Sequence, residues 1–461
     1  MSEPQPLWTA DEIAAATGGT ARGAFAVSGV SIDTRSLEAG DLFVALSGAR
    51  DGHDFVSGAL ARGAAGALVS RAVDGPHVQV ADVFAALEAL GRAARARPAG
   101  LHCAAVTGSV GKTSVTQAVA AVLARAGQGH SSVKSYNNHI GVPLTLARMP
   151  RDTRRAVFEV GMNHAGEITP LVGMIRPDVA VVTTVGPVHI ENFPDGEAGV
   201  ARAKAEIFSG LKPGGRAVLN ADNRWFDLLQ AAAAKRGAEI VSVGRRTASA
   251  ARLLDLAPDG ARQIVTADLF GTRLCFPIAQ TGDHWGLNAL MVLVIAESLG
   301  VDRETALQAL AVFGPLGGRG AEHTLFLPGG TYTLVDESYN ANPVSMQAVI
   351  AALGARPAAG RRILALTDML ELGEQGPALH AALAADIRAA RVDKVFCAGP
   401  LMRALWDQLS PAERGVHAPD AAALAQELKG AVRPGDVVVV KGSNGSRASQ
   451  IVDVLTGGER H

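Results

Sequence analysis

The chain has 461 residues, enough for two to four domains at roughly 100 to 200 residues each, and its 48% hydrophobic and 19% charged content is that of a globular rather than a disordered protein. Lys and Arg number 43 against 44 Asp and Glu, so no global field points to nucleic acid or an acidic membrane, and only local cationic sites remain open. Three far-separated cysteines (Cys103, Cys275, Cys397) build no CxxC motif or disulfide framework, the first dozen residues carry no secretory pattern, and no apolar run approaches the ~20 residues of a membrane span. The expectation is a cytoplasmic protein with no nucleic-acid partner and no stable membrane insertion.

In chain order, the first hundred residues mix short β-like runs at 26–32, 42–46 and 66–69 with two or three helices, and 94–100 reads as a linker. From residue 101 short apolar strands alternate with longer amphipathic helices, the mark of βα units in a parallel sheet. Strands fit 101–106, 156–160, 178–185, 216–219 and 239–243, and helices fit 112–125, 197–211 and 223–236. Residues 250–276 suit antiparallel strands, followed by helices at 283–299 and 302–312. A Gly-rich hinge, FGPLGGRG at 313–320, leads to a second series with strands near 332–336, 361–367, 394–398 and 436–441. Its valine run, 437–440, reads as buried on both faces. This predicts an α/β protein of three domains: a small mixed α/β domain (1–98), a central P-loop parallel-sheet domain (99–315) and a Rossmann-like doubly wound domain (316–461).

The strand at 101–106 runs through Thr107 into Gly108, Ser109, Val110, Gly111, Lys112, Thr113 and Ser114, and a helix follows at once. Glycines there let backbone N–H groups turn toward phosphate, and the helix N-terminus adds positive potential. Lys112 would reach the β- and γ-phosphates and Thr113 would ligate Mg²⁺. Val106 stands where the longer GxxxxGK[ST] form has its first glycine, so the loop is a shorter GxxGKT variant; an ordinary Gly-rich βα turn is the bland alternative.

Glu159 ends an apolar strand, where an unpaired carboxylate is costly without a cation, which favours a metal role. His189 follows the next strand, at the edge where open α/β sheets hold ligands; it suits a metal or phosphate, or equally a surface or capping role. Lys204 shares a helical stripe with Val200, Ile207 and Leu211. It either snorkels out of the core or aims into a site.

Taken in order, TGSVGKT, EVGMNHAGEI, GPVHIE and AKAEIF resemble the central domain of the Mur ligases, the ATP-dependent amide-forming enzymes of peptidoglycan precursor synthesis. The resemblance extends over nearly the whole chain. GVSIDTRSLEAGDLFVALSGARDGHDF resembles the family's UDP-sugar domain, SYNNHIGVPLTL its substrate loop and GDHWGLNAL its adenine-side helix. DESYNANPVSM, LTDMLELGE and VVVVKGS resemble its C-terminal domain. Tyr339 to Pro343, YNANP, is similar to the branch that adds D-alanyl-D-alanine to the UDP-N-acetylmuramoyl tripeptide. A sibling adding a single diamino acid, and a folylpolyglutamate synthase-like ligase, are the alternatives. Thr367 departs from the family's usual glycine, and Asn444-Gly445 is inserted in KGSNGSRAS.

The resemblance implies an acyl-phosphate mechanism using ATP and two Mg²⁺ ions. It places Lys112, Glu159, His189, Lys204 and Arg319 in catalysis, with Thr113, Glu159, His189 and a carbamylated Lys204 at the metals. Gly108 to Ser114, Asn288, Arg319 and Asp336 would meet ATP. Ser31, Thr34 and Arg35 would meet UDP, Asn137, Asn138 and His139 the muramoyl-peptide, and Asn340 and Asn342 the dipeptide. For Asn288 a helix cap, for Arg319 a solvated hinge charge, and for Asn340 and Asn342 plain turn chemistry are the competing readings. A monomer is expected.

Overall fold

A computed structural model describes residues 5–133, 135–260 and 262–458. Among the described residues, three larger sheets follow one another along the chain, and Trp8–Thr9 pairs with Ala26–Val27 in a small two-stranded sheet. The first has five strands in the order Thr20–Arg22, His77–Gln79, Gly66–Val69, Asp41–Val44 and Gly29–Ser31, all parallel except the first pair. The helix Val83–Ala96 covers it, and Leu144 and Ala147 of the following domain complete its core.

The central sheet has nine strands. Its parallel part runs Glu239–Gly244, Arg216–Asn220, Val179–Val182, His102–Thr107, Arg155–Glu159, Gly129–Ser131. The strands Ala251–Asp259, Arg262–Leu269 and Thr272–Ile278 extend it, with antiparallel pairing between each of these neighbours. Strand alternation explains why both faces are apolar: Cys103 and Ala105 enter one core with Phe158 and Ile207, while Ala104 and Val106 enter the other with the helices Lys112–Ala126 and His284–Ser298. The chain passes to one side of His102–Thr107 and then to the other, which makes the carboxyl end of that strand a topological switch point, the usual ligand crevice of an open α/β sheet.

The third sheet runs Ala321–Leu327, Gly330–Glu337, Val437–Lys441, Arg362–Thr367, Lys394–Ala398, Arg414–Ala418, parallel apart from its first strand. Val437–Lys441 is buried along its length, with valines serving cores on both faces. No helix among the described residues is long and apolar enough to cross a membrane.

Four details differ from the sequence expectation. The run 26–32 is two short strands, Ala26–Val27 and Gly29–Ser31, because Ser28 turns to meet Gly40 O through its N–H. The helix expected over 197–211 tightens into a 3₁₀ turn after Ala205, where Glu206 instead accepts N–H bonds from Gly166 and Thr169. Ala321–Leu327 and Arg414–Ala418 are strands that apolar content alone does not announce, since both are sheet edges with half-wet faces.

Asp436 shows how the third sheet is anchored. Its side chain, 2% exposed, accepts from Arg361 Nη2 at 2.7 Å and from the backbone N–H groups of Arg361 and Arg433 at 3.0 and 2.8 Å. Burial pushes its carboxyl up, but these donors outweigh it and the pKa lies below the usual carboxylate range. Asp436→Ala is expected to cost about 3 kcal/mol, because it strands the Arg361 charge and two N–H groups. The sign with pH follows from the lowered pKa: the stabilisation is complete above the ordinary carboxylate range and is lost as pH falls through the folded value. Thermal melts of wild type and variant should therefore lie well apart at neutral pH and converge in acid.

Candidate active site

The phosphate loop is shaped by what its glycines touch. Gly108 has φ +152°, and a Cβ there would stand 1.9 Å from Thr183 Oγ1. Thr183 donates to Val110 O at 2.5 Å, and Ser109 Oγ donates to Gly186 O at 3.0 Å, so the strand end of Val179–Val182 holds the loop open. Gly111, at φ 86°, starts the helix Lys112–Ala126, and no side chain caps that terminus. Lys112 folds back, its ammonium donating to Gly108 O at 2.7 Å. Burial pulls its pKa down, Glu159 counters, and Arg319 lowers it further.

Glu159 is 1% exposed at the end of Arg155–Glu159. Oε1 accepts from Asn137 Nδ2 at 2.6 Å, whereas Oε2 is buried with no partner. A buried carboxylate oxygen left unpaired is costly unless a cation completes it, so the residues fit a divalent metal here. Among the described residues no three His, Cys, Asp or Glu side chains cluster as ligands. A metal would therefore draw on Glu159, the hydroxyl of Thr113 at the start of the helix Lys112–Ala126, and ligands supplied by a nucleotide.

Lys204 is 2% exposed, so it is not snorkelling. Burial lowers its pKa well below the lysine range and Lys112 lowers it further. Arg319 lies over the Tyr339 ring, 4.1 Å from its centroid. Sequence reasoning did not single out Lys441, which ends the valine strand at 3% exposure. Its Nζ donates to Asn340 O at 2.9 Å; burial lowers its pKa, Glu337 opposes this and Arg319 adds to it. Lys204, Lys112, Arg319 and Lys441 thus form one chain of electrostatic contact, reaching from the central domain into the C-terminal one. A lysine ending an all-valine buried strand was the available signal. Thr183 was also missed; its signal was a threonine pair closing an apolar strand at the ligand edge.

The remaining expected residues divide. Asn288 lies inside the helix His284–Ser298, not at its cap, and its buried Nδ2 has no partner; its Oδ1 is 3.4 Å from the position of a Gly111 Cβ. Asp336 is occupied, accepting from Gly318 N–H at 2.8 Å and from the N–H and hydroxyl of Ser338 at 3.0 and 2.6 Å. Gln280 Nε2 donates to Phe313 O and Gly314 O from the other side, while Leu316 is bridged to Arg319 and Gly320.

Asn342 caps the helix Pro343–Ala355 in a capping box with Ser345, so its side chain is committed to structure. Asn340 Oδ1 accepts from Ala341 N–H at 2.9 Å. Asn138 accepts from Gly141 N–H at 2.9 Å, and the exposed His139 rests edge-on to Phe84 of the first domain. Ser31 bonds the Asp33 backbone, Thr34 is half-buried beside it, and Arg35 is exposed with a bidentate grip on Asp33. That grip, with the Arg35 N–H, holds the Asp33 carboxyl down at about 2. The UDP-side residues are therefore on one strand end and its loop, apart from the Lys112 cluster.

Family models match three successive stretches: residues 26–98 as the catalytic domain of the Mur ligase family, 106–296 as the Mur ligase middle domain and 327–444 as the Mur ligase glutamate ligase domain. The UDP-N-acetylmuramoyl-tripeptide–D-alanyl-D-alanine ligase of Escherichia coli (strain K12) is 34% identical over 438 residues, 92% of this chain and 93% of that one. The chain belongs to the Mur ligase family. Among solved Mur ligases, MurF from Acinetobacter baumannii is 26% identical and superposes with a TM-score of 0.84, covering 98% of this chain and 99% of that one. MurF from Thermotoga maritima in complex with ADP is 25% identical with a TM-score of 0.78, covering 93% and 97%. The three family matches follow one another along this Mur ligase in chain order.

Proposed function

We propose that this Mur ligase joins D-alanyl-D-alanine to UDP-N-acetylmuramoyl-tripeptide, with ATP converted to ADP and phosphate, as a monomer in the cytoplasm. The observation that carries the reading is the buried Glu159, whose Oε2 has no partner, beside the glycine loop whose Lys112 feels both Glu159 and Arg319. That arrangement suits a triphosphate approached by a second anion, the problem an acid-activating ligase faces. The names of the relatives, together with YNANP, favour the dipeptide over a single diamino acid or a folate substrate.

In this reading the terminal carboxylate of the tripeptide attacks the γ-phosphorus; the new O–P bond forms as the bond to ADP breaks. The dipeptide amine then attacks the acyl carbon, phosphate leaves and the amine loses a proton. Lys112 and the N–H groups of the loop hold the phosphates, Arg319 offsets charge at the transferred group, and Asn288 faces the nucleotide base. Thr113, Glu159, His189 and carbamylated Lys204 would hold two Mg²⁺, which supply charge neutralisation of the phosphates. Domain closure about the Gly-rich hinge at 313–320 would exclude water from the acyl phosphate.

Phosphate release from ATP tests the reading. It should require UDP-N-acetylmuramoyl-tripeptide and D-alanyl-D-alanine together. Release supported better by one diamino acid with the dipeptide precursor, or by glutamate with a folate, would overturn it.

A further inference from the structure

The electrostatics of Lys112 respond to Glu159 and to Arg319, and one aromatic side chain connects those two. Tyr339, half-buried, follows the strand Gly330–Glu337. Its N–H donates to Gly318 O at 3.0 Å, and a Cβ on Gly318, at φ +73°, would stand 2.9 Å from the Tyr339 Cβ, so the hinge backbone closes directly onto this residue. The next side chain, Arg319, lies with its guanidinium carbon 4.1 Å from the centroid of the Tyr339 ring. At its other end the Tyr339 hydroxyl is hydrogen-bonded to Ser135 Oγ of the central domain, 204 positions away. Two residues beyond Ser135, Asn137 donates from Nδ2 to Glu159 Oε1 at 2.6 Å and accepts from Gly161 N–H at 2.8 Å.

A guanidinium stacked by its face keeps the N–H donors along its edge free. No hydrogen bond from the Arg319 side chain to another described residue uses them. Lys112 and Lys441 repel a guanidinium, which would otherwise turn out to water, and the negative face of the ring offsets that repulsion. We infer that Tyr339 is a positioning residue with two separable parts. The ring holds the Arg319 guanidinium so that its edge donors stay available to an anion at the phosphate loop. The hydroxyl ties the segment 135–137, and through Asn137 the Glu159 carboxylate, to the C-terminal domain. The inference rests on the proposed placement of Arg319 at the phosphates of ATP.

The test uses the full-length protein and a non-hydrolysable ATP analogue, its affinity read by isothermal titration calorimetry. Tyr339→Phe keeps the ring and should bind the analogue close to wild type. One, two and three fluorines placed on that phenylalanine ring withdraw charge from its face with little change of shape, so affinity should fall stepwise, by about 3- to 10-fold in all. In the Arg319→Ala background the fluorine series should be flat, because the cation it acts on is gone. In turnover, Tyr339→Phe and Ser135→Ala should each raise KM for UDP-N-acetylmuramoyl-tripeptide by about 3- to 10-fold with kcat retained. The double variant should match either one, since both remove the same hydrogen bond.

A fluorine series that leaves affinity unchanged, a series equally steep without Arg319, or fully additive KM effects of Ser135→Ala and Tyr339→Phe would overturn the inference. If Arg319→Ala itself binds the analogue as wild type does, the placement of Arg319 at the phosphates fails first and takes the inference with it. That result is read in a different variant from a failure of the ring, so the two are distinguished.

Discussion

Lys112→Ala is expected to lower kcat by about three orders of magnitude while leaving the melting temperature within a few degrees of wild type. The loss is large because the ammonium is the cation at the mouth of the phosphate loop, where charge that develops on a transferred phosphoryl group is neutralised in a poorly solvated site. Stability changes little because the side chain makes one hydrogen bond, to Gly108 O, and removing a cation that burial already disfavours relieves part of its cost. Lys112→Arg is not expected to restore activity: the larger, planar guanidinium cannot fold back under Gly108 as the ammonium does. Single-turnover phosphate release checks both variants. A Lys112→Ala enzyme with more than about a tenth of wild-type kcat would remove the loop from the chemistry.

Lys204→Ala should be of similar severity, with a different rescue. Lys204 is buried to 2% exposure, and burial and Lys112 drive its pKa well below the usual range, which favours the neutral amine. In the proposed mechanism the neutral amine would add to carbon dioxide, losing a proton, to give a carbamate that would present anionic oxygens to the proposed metals. Removing it should reduce kcat on the order of 10³-fold, the several kcal/mol a metal-held charge contributes. Formate or acetate, entering the space left, should return part of the activity to Lys204→Ala and none to Lys112→Ala. Labelling with ¹³C-bicarbonate should give a carbamate carbon resonance in wild type that Lys204→Ala lacks. Full activity in the variant, or no gain from formate or acetate, would rule out the modified lysine.

Much of the site was legible from local pattern because the chemistry of one strand, one loop and one helix is local. The phosphate loop needs only an apolar strand, glycines at positions of unusual φ and a helix start, all contiguous in TGSVGKT. Glu159 was legible because a carboxylate inside an apolar strand is costly wherever the strand goes. The helical stripe placed Lys204 on a buried face, but left open whether it escapes; burial in the fold decides that it does not. Asn342 shows the opposite limit. Asn before Pro at a helix start satisfies capping whether or not a ligand is near, and the structure commits it to Ser345.

What the sequence by itself determined was the order of three α/β units, the loop that binds phosphate and the polar residues stranded in apolar segments. These follow from periodicity and from the cost of burying unpaired charge, which neighbours along the chain already reveal. Only the tertiary structure decided which distant groups share one field. Lys441 lies 329 positions beyond Lys112, and Arg319 touches the electrostatics of both. Glu371 meets His189 across a domain boundary, and Thr183 fills the space that makes Gly108 a glycine. Those pairings depend on how strands, helices and domains pack together, which is not written in the spacing of residues along one strand.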